Sequence, residues 1–231
     1  MFGIRFLTVT NFQEMLIKLT FWHFVAAIVC LLILDSNINF SNDILKDLTV
    51  NYKGINFPVS IIIFASLWAI VFSHIFKLHD RISDVFRIRF RYDQKYILRP
   101  IADSVIGDDS KNIYSKLEAN RHNAMSNVFY KYASSTEANP LVGKHNIHQA
   151  LTTFSWYWIC LEVIFTSFLT FLAILIINCE FSLAALGLSV MFLIFSFLLS
   201  PQLKKYTKIQ TDRIVADIEA AKSIRTYLNA L

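Results

Sequence analysis

Four long apolar blocks, a low charge content and a Lys/Arg excess confined to alternate connecting segments predict an all-α integral membrane protein. The expected architecture is four transmembrane helices, a helical cytoplasmic insert and a helical C-terminal tail. Hydrophobic residues make up 55% of the 231 positions and charged residues only 17%, and mean hydropathy is positive. A soluble domain spreads its apolar residues at helical or strand spacing. Here they gather into runs long enough to cross about 30 Å of hydrocarbon, which takes roughly 20 helical residues.

The first block runs from about Leu19 to Leu34 and is extended by Met15, Leu16 and Ile17 past Lys18, whose long side chain can reach the headgroups. A cleaved signal peptide is the competing reading. The residues after the block, Leu34, Asp35, Ser36 and Asn37, lack the small-residue pattern that cleavage needs. The second block is Pro58 to Phe76, the third about Trp156 to Ile177, and the fourth Phe181 to Leu199.

Orientation follows from the basic residues. Of the 22 Lys and Arg, twelve lie between Lys77 and Thr153 and six after Pro201. The first inter-helix loop has Lys46 and Lys53, and the turn Asn178 to Glu180 has none. By the positive-inside rule the middle region and tail are cytoplasmic, so both termini are too, with the chain in the cell inner membrane. Trp156, Tyr157 and Trp158 fit an interfacial aromatic anchor. This divides the chain into a first hairpin (1–76), a basic helical region (77–153), a second hairpin (154–200) and an amphipathic tail (201–231).

In the cytoplasmic parts, Lys77 to Arg99 lacks Gly and Pro and reads as one amphipathic helix, with Leu78, Ile82, Val85, Phe86, Phe90, Tyr96 and Ile97 on its apolar side. Pro100 is expected to kink or end it. Gly107, Asp108 and Asp109 suggest a turn, with Ser110 capping a second helix to about Ala133. Ser134 to Gly143, with Asn139 and Pro140, is the next break, and a segment from Lys144 leads into the third span. In the tail, Leu203, Tyr206, Ile209, Ile214, Ile218, Ala221, Ile224 and Leu228 fall mostly on one face.

Glu162 is the most informative single residue, because a carboxylate in an apolar helix costs roughly 2.5–3.5 kcal/mol at the bilayer centre and needs a partner or water. His23, His74 and Ser196 fall near its depth, giving an expected intramembrane polar layer. The plainer alternative is that Glu162 snorkels, or pairs with His23 merely to be tolerated. Arg87, Arg91, Lys95 and Arg99 form a cationic strip suited to anionic headgroups or the phosphates of a small ligand. Arg89 with Asp93, and Arg213 with Asp217, repeat at i,i+4 and are candidate register pairs for an oligomer.

Other features carry less. His145 and His148 could share a helix face, but no Cys, Asp or Glu joins them at metal-ligand spacing. His79-Asp80 reads as an isolated dipeptide. Cys30, Cys160 and Cys179 have no paired spacing. No Walker, GxGxxG, GxSxG or HExxH motif is present, so neither an enzymatic activity nor a cofactor is expected.

The order of hairpin, basic helical insert, hairpin and tail resembles small bacterial multi-spanning effectors of anti-phage defence, in particular the SMODS-associating four-transmembrane type. The likeness covers the whole chain as architecture, with no motif matched residue by residue. It implies an oligomer that opens a pore or perturbs the bilayer when its cytoplasmic helices receive a signal. Small residues such as Ala26, Ala27, Ala184, Ala185, Gly187 and Ser189 would let helices approach closely, between subunits or within one. The expected partners are membrane lipids, further copies of the chain, and a soluble protein or small nucleotide at the cytoplasmic region. Nucleic acid is not expected. The alternatives are a membrane-anchored scaffold that recruits a soluble partner and a small ion or solute transporter.

Overall fold

The computed structural model describes residues 9–38, 49–52, 55–134 and 141–231. Lys46, Lys53 and the expected break at Asn139 and Pro140 lie outside them. The elements in chain order are α1 (Phe12–Ile38), a two-stranded hairpin of β1 (Thr49–Tyr52) and β2 (Ile55–Pro58), and α2 (Val59–Ala69) continuing as a π-helical turn (Ile70–Ile75). Next come α3 (Leu78–Val85), α4 (Ile88–Asp93), a π segment (Gln94–Leu98), α5 (Arg99–Ile106) and a 3-10 stretch (Gly107–Ile113). Then follow α6 (Tyr114–Ala119), α7 (Arg121–Met125), a π turn (Ser126–Tyr130), α8 (Lys144–Asn178), α9 (Leu183–Ala216) and α10 (Ile218–Asn229). Among the described residues the regular structure is helical apart from the antiparallel hairpin, which pairs Thr49 with Pro58 and Tyr52 with Ile55 in the loop between the first two apolar blocks.

Among the described residues three helices, α1, α8 and α9, are long and apolar enough to cross a membrane. The second apolar block gives a shorter helix, Val59–Ile75, which is bent by 56° from Leu78–Val85, and the two reach spanning length only as a pair. The bend falls at Lys77, whose φ of 46° is left-handed and interrupts the helical ladder.

Two compact units emerge, each built from separated stretches of chain. One combines 16–81 with 155–199. Within it α1 and α8 run in the same direction: His23 bonds Thr166 near one level, and Asn178 Nδ2 donates to Asn37 O at 2.6 Å where both helices end. The segment from α2 runs the opposite way, with Trp68 and Ser73 both on His23 and His74 beside Thr20. α9 returns along α8, joined by Ser167 Oγ and Ser189 Oγ at 2.7 Å and by Phe171 against Phe181. Small hydroxyl-bearing residues let those two backbones approach and give each hydroxyl a partner. Ala27, Cys30, Ala65 and Ala185 are also buried in this unit, whereas Ala184 and Gly187 face outward with much of α9.

The other unit combines 1–15, 82–154 and 200–231, of which 9–15, 82–134 and 141–231 contribute described residues. Its core gathers Leu98, Ile101, Leu117, Val128, Ile214, Ile224 and Leu228, all essentially buried. Polar ties close it: Arg225 bonds the carbonyl of Val105 near the end of α5, Gln94 Nε2 donates to Leu117 O at 3.0 Å, and Tyr92 meets Thr207 at 2.6 Å.

The single amphipathic helix expected over Lys77–Arg99 is not formed. Arg87 adopts φ 52°, separating α3 from α4 and resetting the angular phase. Val85 and Phe86 therefore emerge 76% and 64% exposed, while Leu78, Ile82 and Ile97 are buried. Pro100 does not end a helix either; it sits in the first turn of α5, directly after the π segment. A widened turn there accommodates a ring that has no N–H and crowds the preceding carbonyls. Ser110 does not cap a long helix: its hydroxyl donates to Asp103 Oδ1 at 2.5 Å, and the helical run breaks again at Asn120. In the tail, α9 passes through Pro201 and stops at Ala216, so Ile218 starts a new helix and is 81% exposed.

Candidate functional site

Glu162 has no solvent-exposed surface, and both of its carboxylate oxygens are engaged by side chains from other helices. His79 Nδ1 lies 3.1 Å from Oε1. On the other oxygen, Ser73 Oγ donates to Oε2 at 3.2 Å and His23 Nδ1 lies 3.3 Å away. His23 Nδ1 is also 2.8 Å from Ser73 Oγ, while its Nε2 meets Thr166 Oγ1 at 2.9 Å and Trp68 Nε1 at 3.2 Å. A carboxylate bracketed by two imidazoles therefore stands in the interior of apolar helices.

Hydrogen-bond direction follows from the donor inventory. The indole N–H can only donate, so His23 Nε2 must accept, which places the His23 proton on Nδ1. From there donors point one way: Trp68 to His23, His23 to Ser73, and Ser73 to the Glu162 carboxylate. Such an arrangement suits an ionised carboxylate, since each donor relieves part of the cost of burying charge.

Local structure decides which residues reach this site. Ser73 and His74 lie in the π-helical turn, where Phe76 N–H bonds Val71 O five residues back. The widened turn aims Ser73 inward, and His74 is left exposed, its Nε2 3.0 Å from Thr20 Oγ1. The left-handed Lys77 then turns the chain so that His79, two residues later, is buried against Glu162 and 6.2 Å from the Trp158 ring. π-helical turns often occur at functional positions.

Of the polar layer expected from the sequence, Glu162 and His23 come together. His74 does not join them, and Ser196 donates to its own helix at Leu193 O, 2.7 Å away. His79, Ser73, Thr166 and Trp68 are the members that sequence reasoning missed. In the sequence His79-Asp80 is an isolated dipeptide too common to mark a site, and a regular helix gives no reason to bring His79 onto the Glu162 face. Trp158 is buried rather than placed as a surface anchor, and Lys18 is buried with its Nζ 4.3 Å over the Trp156 ring.

The basic strip is placed as follows. Arg87, Arg91 and Lys95 are exposed, and Arg87 and Lys95 lie over the rings of Phe90 and Tyr96. Arg99 pairs with Glu118 at 3.0 Å. Among the candidate register pairs, Asp93 is buried and bonded at 2.7 Å by Arg121, and the Arg89 guanidinium reaches Tyr130 at 3.3 Å. Asp217 caps α10 by accepting from Ala220 N at 2.8 Å, and Arg213 is exposed. Burial pushes the Asp93 carboxyl above the ordinary aspartate range, with Arg89 and then Arg121 drawing it part-way back. Asp103 accepts from Tyr114 and raises that phenol.

His145 lies 3.4 Å from Gln149. Among the described residues no group of three or more His, Cys, Asp or Glu is placed to hold a metal ion.

Compared with known proteins, the chain has no match among curated proteins or solved structures. A protein-family match covers residues 11–230, nearly the whole chain and all the helices described above. The chain, with its apolar helices and the buried Glu162 cluster, belongs to the YmfE protein family.

Proposed function

We propose that this protein is an inner-membrane effector whose apolar helices cross the bilayer four times, and that it admits ions or perturbs the membrane under control of its cytoplasmic helices. The buried Glu162 cluster carries this reading. A bundle with only anchoring duties has no need of a carboxylate and two imidazoles in its interior, where each polar group must be matched at a cost. In this arrangement both Glu162 oxygens are held by side chains of the same chain, which supports reading it as the closed form of such an effector. Opening would replace those internal bonds with water.

The fourth crossing is assigned to the bent pair that begins at Val59, since its first helix packs antiparallel to α1 through His23. With the basic middle region and tail inside the cell, both termini are cytoplasmic. The outward-facing apolar side of α9 suits lipid and further copies of the chain, and the basic strip suits anionic headgroups. The architectural likeness to anti-phage effectors supports a role in defence, with a soluble protein or small nucleotide as the trigger.

Expression in bacterial cells with a potential-sensitive dye tests this reading. The wild-type chain depolarises the membrane and Glu162→Gln alters the response. An unchanged potential at verified membrane expression would remove it.

A second reading, a membrane-anchored scaffold, draws on the separate core of the unit that contains residues 82–154. A folded module with an exposed basic strip suits a soluble acidic partner. Particle mass in detergent separates the two, because an oligomer built from 26.7 kDa subunits favours the effector and a monomer the scaffold.

A further inference from the structure

The two imidazoles on Glu162 are not equivalent. His23 has both ring nitrogens committed, with Nε2 accepting from an indole that cannot reverse its role. Protonating Nε2 would set its N–H against the Trp68 N–H. His79 differs: Nδ1 faces Glu162 Oε1 at 3.1 Å, and the buried Nε2 has no hydrogen-bond partner among the described residues. The nearest acidic oxygen is Asp80 Oδ2 at 3.8 Å, and the Asp80 side chain is 40% exposed.

We infer that His79 is the proton-accepting group of the cluster and that Asp80 delivers the proton to it from water, while His23 stays neutral. The sequence Asp80, His79, Glu162 forms a proton path into the helices. A solvent proton is held by the Asp80 carboxylate and passes to His79 Nε2, giving an imidazolium. The imidazolium releases its Nδ1 proton to Glu162 Oε1, leaving the Nε2–H tautomer and a neutral carboxylic acid. One proton has entered, and the cluster's charge has risen by one unit.

Of the other titratable groups in this unit, Cys30 and Asp35 lie about two and three turns beyond His23 on α1, and Cys179 and Glu180 lie in the turn between α8 and α9. On α1, Lys18 stacks on Trp156, and His23 is held as above. His74 is exposed beside Thr20, and Lys77 and Arg81 are exposed at the start of the bent segment. On α8, Tyr157 and Cys160 flank the Glu162 turn, and between Leu183 and Leu199 α9 has no ionisable side chain. A neutral Glu162 would hold the Ser73 donor less strongly and would itself donate to the now bare His79 Nδ1, so proton arrival replaces charge-assisted ties between α8 and the segment from α2 with neutral ones. This goes beyond ion permeation and stands without it.

Nitrogen-15 NMR of histidine-labelled full-length protein in lipid nanodiscs tests the path, from about pH 8 to about pH 5. Signals are assigned with His23→Asn and His79→Asn. The expected result is a His23 ring that remains in its neutral Nδ1–H form while His79 passes from the Nδ1–H to the Nε2–H tautomer. Asp80→Asn, a near-isosteric surface change, should slow proton exchange at His79 by about tenfold or more. A second expected result is that Trp68→Phe frees His23 Nε2 to gain a proton. Protonation of wild-type His23, a His79 ring that keeps one form throughout, or an unchanged exchange rate in Asp80→Asn would each overturn the assignment. Because these are proton measurements on isolated protein, they can succeed where the depolarisation assay fails, and the reverse.

Discussion

The indole N–H of Trp68 donates to His23 Nε2 at 3.2 Å, and this contact fixes the direction of every hydrogen bond between His23 and Glu162. Removing the donor while keeping the aromatic bulk isolates its contribution. Trp68→Phe is expected to lower stability by about 1 kcal/mol, the usual net value of one internal hydrogen bond. Unfolding of the detergent-solubilised protein by added denaturing detergent reads this directly.

Glu162→Ala removes the common acceptor of Ser73 and His79 and should cost about 3 kcal/mol, as breaking one side of a buried ionic cluster does. Because Ser73 acts through that acceptor, the pair Ser73→Ala and Glu162→Ala should be less damaging than the sum of the two, by about 1 kcal/mol. A double-mutant cycle with strictly additive effects would mean that Ser73 and Glu162 do not share the bond seen between them.

Asp93 sets a pH dependence outside the apolar helices. Its carboxyl is pushed above the ordinary aspartate range chiefly by burial, so the folded chain holds that proton more tightly than the unfolded chain. The resulting stabilisation is fully present below the ordinary aspartate value and is lost as pH rises through the raised one. Asp93→Asn should flatten this part of the stability profile. Arg121→Ala should deepen it and cost on the order of 2 kcal/mol at neutral pH, less than a fully buried pair because Arg121 is partly exposed. Unfolding midpoints across mildly acidic buffers supply the measurement.

Arg87 sits at φ 52°, where an L-residue is strained. Arg87→Gly is expected to raise stability by about 1 kcal/mol, and the β-branched Arg87→Ile to lower it by a similar amount or more. Opposite signs in thermal unfolding are the outcome to look for; equal losses would mean that the arginine side chain matters more than the backbone.

Cys179 gives a native probe of orientation. It is exposed between α8 and α9, whereas Cys30 and Cys160 are buried. If that turn lies outside the inner membrane, a membrane-impermeant maleimide should label intact spheroplasts at Cys179, and Cys179→Ser should abolish labelling. Reaction only after the cells are opened would invert the orientation.

Much of this protein was legible before its structure. Long apolar runs announce their helices because hydrocarbon-length segments without charge have few other stable forms. Glu162 stood out for the same reason, and depth along the helix set His23, His74 and Ser196 beside it, of which His23 lies against it in the fold. Depth failed for His74 because a π-helical turn rotated it outward, and His79 was missed because a left-handed residue turned it in. Neither irregularity has a dependable sequence signal: Lys77 and Arg87 are ordinary lysine and arginine, not glycine. The same lack of signal merged α3 and α4 into one helix and hid the exposure of Val85 and Phe86.

The sequence by itself determined the solvent, the helical class and the presence of a carboxylate that must find partners, because these depend on composition and on local periodicity. Only the tertiary structure decided which partners it found. A switch from right-handed to left-handed φ at one backbone position, as at Lys77, redirects every side chain beyond it, and long-range packing selects that switch. The choice of His79 over His74 is therefore a property of the folded helices, not of the residues taken one at a time.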